Sequence, residues 1–151
     1  MQLTQPISMS WMITDMSQLK GTDYIEVLPG KFADKHWNPQ SVFFDEEHFI
    51  FIEQIIMRHC TQYDHYEMTD IDKATWDKIL IDLETLHDKI ANKSRLSDFQ
   101  NEVYSFFPTT DRRFLKLKSQ DINHVRKMLI DFIRWARTLI EQHDTIAVLG
   151  L

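Results

Sequence analysis

Glycine is almost missing from this chain: Gly21, Gly30 and Gly150 are the only three in 151 residues. A Walker-type phosphate loop or a dinucleotide fingerprint needs several glycines within one turn, so both are excluded. Cys60 is the sole cysteine, which excludes an intrachain disulfide framework and a thiolate zinc cage. No apolar run exceeds four residues, as at Phe49–Ile52, far short of the roughly 18 needed to cross a bilayer. The first basic residue is Lys20, so the positive charge that opens a secretory signal is lacking. With a lone thiol, these features lead us to expect a soluble protein of the reducing cytoplasm, with no membrane partner.

What is present suits a folded domain. Hydrophobic residues make up 43% and charged residues 26% of the chain, with ten Phe, four Trp and four Tyr to furnish a core. Such a balance argues against a disordered chain, and 151 residues suit one domain.

Prolines fall early, at Pro6, Pro29 and Pro39, with only Pro108 beyond. The glycine-free stretch from Lys31 to Leu149 is therefore free to be helical. A first helix is expected over 45–60, with Asp45 as cap and Glu46 and Glu47 in the favourable first turn. A second is expected over 73–92, capped by Asp70 or Asp72, because Trp76, Ile79, Leu80, Leu83, Leu86 and Ile90 recur at helical spacing. A third, over 96–106, ends before Pro108. A fourth, over 121–144, carries the stripe from Ile122 and Val125 through Phe132 to Leu139 and Ile140. Asp23–Leu28 alternates like a strand, Pro29-Gly30 marks a turn, and Thr145–Leu149 is short, apolar and β-prone. The expected fold is mainly α: one domain over 1–151, with an irregular or β arm (1–43), a four-helix bundle (44–144) and a short apolar tail (145–151).

The net charge of −6 is unevenly placed: residues 1–43 sum to −1, 44–88 to −9 and 89–151 to +4. The middle third is either the solvated face of helices balanced by the C-terminal bases, or a field that repels phosphate and speeds the approach of a basic partner. Within it, Tyr63 and Tyr66 stand amid Asp64, Glu67, Asp70, Asp72 and Asp77, which suits aromatic anchors in an acidic interface. These seven residues are the candidate partner-binding set.

Other chemistries were weighed. Glu84-Thr85-Leu86-His87 and Asp121-Ile122-Asn123-His124 place a carboxylate and an imidazole within one helical turn, as in diiron bundles, with Glu53 and Glu102 as further carboxylates. Both pairs lie at the edge of their apolar stripes. His59, Cys60, Asp64 and His65 form a loose cluster that would suit a metal or an activated thiol, or simply a helix end. Arg112–Lys118 interleaves bases with Phe114, Leu115 and Leu117, a pattern that contacts phosphates, yet the acidic total disfavours nucleic acid. No zinc-protease signature or nucleophile elbow is present. No catalytic residue, metal or cofactor is expected; a helical metal enzyme and a nucleic-acid regulator are the alternatives, and the oligomeric state is open.

Size, acidic bias, the single cysteine, the scarcity of glycine, and a long last helix bearing Ile130-Asp131-Phe132-Ile133-Arg134-Trp135 before Ile146-Ala147-Val148-Leu149-Gly150-Leu151 together give a general build. That build resembles the small bacterial immunity proteins of polymorphic and contact-dependent toxin systems. The resemblance implies a non-catalytic cytoplasmic protein that covers the active site of one cognate toxin domain. Many such toxins are basic nucleases. The likeness is of general type and carries no functional residue across.

Overall fold

A computed structural model describes residues 10–91 and 122–151. Three helices and a four-stranded antiparallel sheet make up the described chain, an α+β fold. The expected mainly-α four-helix bundle is thereby corrected. In chain order the elements are β1 (Tyr24–Pro29), β2 (Val42–Asp45), α1 (Glu46–His59), β3 (Met68–Asp72), α2 (Lys73–Ala91), α3 (Ile122–Ile140) and β4 (Thr145–Leu149). The helix expected over 96–106 and the basic connector after it lie outside the described residues.

The sheet runs β2-β1-β4-β3. The segment expected as a tail is therefore an inner strand: β4 pairs with β1 on one side, Val27 opposite Val148, and with β3 on the other, Ile71 opposite Ile146. An apolar run reads as a tail when seen alone. Between two strands it buries both faces, and Ile146, Ala147, Val148 and Leu149 are all buried.

Strand alternation sorts side chains into two layers. Ile25, Val27, Val42, Phe44, Ile71, Ile146 and Val148 face the helices and join the main core. Leu28, Ala147 and Leu149 face the other way, where Phe32 packs on them. The helical stripes fill the inner layer as their spacing requires: Trp76, Leu80, Leu83, Val125, Leu129 and Phe132 are fully buried.

Polar contacts join the layers at defined points. The Trp76 indole donates to the Ile146 carbonyl at 3.0 Å, tying α2 to β4. Arg137 on α3 reaches Glu84 on α2 at 2.8 Å, and Arg58 and His59 at the end of α1 reach Asp82. Asp72 caps α2 by accepting from the Thr75 amide at 2.8 Å. Asp45 precedes α1 as expected, but its side chain makes no cap bond; it lies 3.6 Å from His48 instead.

Candidate docking surface

The seven proposed docking residues separate into three groups. Tyr63 is buried, and its hydroxyl donates to Glu53 at 2.7 Å, so it serves the interior. Asp77 is half-buried on α2, 3.5 Å from Arg137. The remaining five, Asp64, Tyr66, Glu67, Asp70 and Asp72, are exposed along one loop and the edge strand that follows it. Tyr66 is 65% exposed and Met68, next along the chain after Glu67, is 37% exposed.

Each of three carboxylates on this edge also holds backbone. Asp64 accepts from the Tyr66 amide at 2.8 Å, closing the loop on itself. Asp70 accepts from the Phe32 amide at 3.0 Å, fastening the 30–41 segment to β3. Asp72 is the α2 cap, and the Thr75 hydroxyl and amide hold its carboxyl below the usual carboxylate range. All three accept bonds from neutral donors, which leave their charge in place. Among the described residues, none of Asp64, Glu67, Asp70 or Asp72 forms an ion pair within 4 Å.

The loop from Cys60 to Glu67 is set from beneath. The Glu53 carboxylate, 1% exposed, meets the hydroxyl of Tyr63 and Nδ1 of His65. His65 Nε2 in turn lies 2.8 Å from Glu46. On the far side, the Gly150 and Leu151 amides donate to the Glu67 and His65 carbonyls, each at 3.0 Å. The exposed acidic loop is thus clamped between α1 and the end of β4.

Met68, at the start of β3, borders a cavity of about 310 Å³ on the outer sheet face. Tyr24, Glu26, Trp37, Phe43, Met68 and Leu149 are among its walls. Glu26 is 4% exposed and accepts from four donors. The Trp37 amide reaches Oε1 at 2.7 Å. The Asn38 amide, Asn38 Nδ2 and Ser41 Oγ reach Oε2 at 3.0, 2.9 and 2.5 Å. These bonds fold the 30–41 segment onto the sheet and hold Trp37 at φ 64°, a left-handed conformation rarely taken by a bulky residue.

Among the described residues, the carboxylates and histidines considered for metal are turned to other partners. Glu84 is engaged by Arg137, and His87 lies 3.6 Å from Asp88. His124 stacks on Trp11, 5.4 Å between centroids. Glu53 belongs to the His65 cluster, while Asp121, Glu102 and Arg112–Lys118 lie outside the described residues. Of the loose thiol cluster, His59 turns to Asp82 and His65 to Glu53, while buried Cys60 faces the Gln62 amide oxygen at 3.7 Å. Among the described residues, no group of three or more His, Cys, Asp or Glu is placed to hold a metal ion. No helix there is long and apolar enough to cross a membrane.

Tyr24, Glu26, Trp37 and Phe43 carry no functional motif in the sequence. The one signal available was Glu26 itself, a lone acid in the apolar run Tyr24–Leu28. Its loop partners lie 11 to 15 positions away, which no local period reveals. Comparison with protein-family models, curated proteins and solved structures finds no match to this chain.

Proposed function

We propose that this chain is a non-catalytic cytoplasmic binding protein whose acidic sheet edge docks a basic macromolecule. The specific reading is an immunity protein that neutralises a cognate basic toxin domain by covering its active site. The observation that carries it is the run of exposed acids Asp64, Glu67, Asp70 and Asp72 beside the exposed Tyr66 and Met68. Charge of one sign around exposed aromatic and thioether side chains suits an interface in which the field steers encounter and the apolar groups hold the complex.

Tyr63 is buried against Glu53, and Asp77, half-exposed, pairs with Arg137, so the contact set we propose is Asp64, Tyr66, Glu67, Asp70 and Asp72, with Tyr66 as the aromatic anchor. The test is binding to the protein encoded by the adjacent reading frame. The quadruple variant Asp64→Asn, Glu67→Gln, Asp70→Asn, Asp72→Asn keeps the side-chain acceptors that hold backbone while removing four charges. Its association rate at low salt is expected to fall about tenfold, with the difference closing at high salt. An unchanged rate rejects this surface.

A further inference from the structure

The cavity on the outer sheet face has the chemistry of a receptor for an organic cation. Three aromatic rings line it. Trp37 stacks on Phe43 with centroids 5.5 Å apart, and Tyr24 meets Trp37 edge-on at 6.0 Å. Ring faces carry the negative lobe of the quadrupole and attract cations. Among the described residues that line it, Glu26 contributes the one side-chain carboxylate. Its four donors are amides and a hydroxyl, so its negative charge is held in place without being cancelled.

The acceptor count narrows the class of cation. Oε2 of Glu26 already takes three hydrogen bonds and Oε1 one. A carboxylate offers about four lone-pair sites, so a bidentate fork has no place to land. Attraction must come through the rings and the uncompensated field. That favours the weakly hydrated, planar guanidinium, which stacks on aromatic faces, over the strongly hydrated ammonium. The volume of about 310 Å³ lies at the small end of ligand sites, suited to one side chain. Met68 belongs both to the cavity wall and to the exposed acidic edge, so a partner resting on that edge can reach in.

We infer that this cavity receives a single arginine side chain of the docked basic partner, an inference that rests on the docking function proposed above. The strained Trp37 is the wall of the receptor, and Glu26 both builds the wall and supplies the charge that it encloses.

The experiment is a titration of the wild-type protein, followed by the Trp37 indole resonance, with the blocked amides of arginine, lysine and citrulline. Citrulline copies the shape of arginine without its charge, so no destabilised variant is needed. Arginine is expected to shift the Trp37 resonance saturably and to bind about tenfold tighter than citrulline. Lysine is expected to fall between them. Equal affinity for arginine and citrulline, tighter binding of lysine, or shifts confined to residues away from Trp37 would each overturn the assignment. The adjacent-frame protein, assayed in parallel, separates the two readings. If it binds while arginine does not, the cavity inference alone falls; if arginine binds while it does not, the docking function falls and with it the partner as the source of the arginine, while the cavity's preference for the guanidinium stands.

Discussion

Gly150 shows how little space one position has. Its amide pairs with the Glu67 carbonyl, and a Cβ built there would lie 2.8 Å from that oxygen and closer still to the His65 carbonyl. Those atoms belong to backbone and cannot swing aside as a flexible side chain would. Gly150→Ala is therefore expected to cost about 1–3 kcal/mol, read as a lowered midpoint of urea unfolding. Gly21 makes the control, since a Cβ there meets nothing within 4 Å, although its φ of 86° still strains an alanine. If the clamp matters to docking, Gly150→Ala also lowers affinity at the acidic edge, whereas Gly21→Ala does not. None of this could be read from the sequence, where Gly150 looks like a break after an apolar run. The residue gains its meaning from chain that lies more than 80 positions earlier.

Secondary-structure elements were readable in proportion to the number of turns that repeat their signal. The spans of α1 and α2 and the stripe of α3 follow from apolar spacing, and the long stripes leave little choice of face. β1 and β4 were visible as alternation and as an apolar, β-branched run. β2 and β3 were not. Val42-Phe43-Phe44 buries both sheet faces and so lacks alternation, while Met68–Asp72 hides its buried Thr69 and Ile71 between acids that disfavour strands. Missing two strands turned an α+β fold into a bundle. At this scale α2 makes a pH prediction through its cap. The Thr75 bonds depress the Asp72 carboxyl in the folded chain. Its contribution to stability is then fully present above the unfolded value and is lost as pH falls through the folded one. Asp72→Asn keeps the cap and cannot titrate, so it is expected to match wild type near about pH 7 and to lose less stability toward about pH 2.5. Asp72→Ala should lie below both at neutral pH. Urea midpoints across that range check the order, and an equally steep acid loss in Asp72→Asn would show that the cap is not titrating.

At the scale of the whole molecule the sheet divides two unequal layers. The inner layer holds three helices and most of the buried side chains. Among the described residues the outer layer is the 30–41 segment, fastened by the Glu26 bonds and by the Asp70–Phe32 contact, with a small apolar patch under Phe32. Cooperative units follow the density of buried contacts, so the outer layer should open without the inner one. Glu26→Ala takes the acceptor from two amides, a side-chain amide and a hydroxyl at once, each costing about 1–3 kcal/mol when left buried without a partner. The segment is expected to avoid that cost by detaching. In hydrogen exchange, the Trp37, Asn38 and Ser41 amides of the variant should then lose protection, while those of α2, α3 and β4 stay near wild type. Global unfolding, with protection lost in both layers together, would show that the sheet needs its outer cover to persist. The first outcome would make the aromatic wall at Trp37 a separable part, built onto a self-sufficient core and removable without destroying the acidic edge beside it.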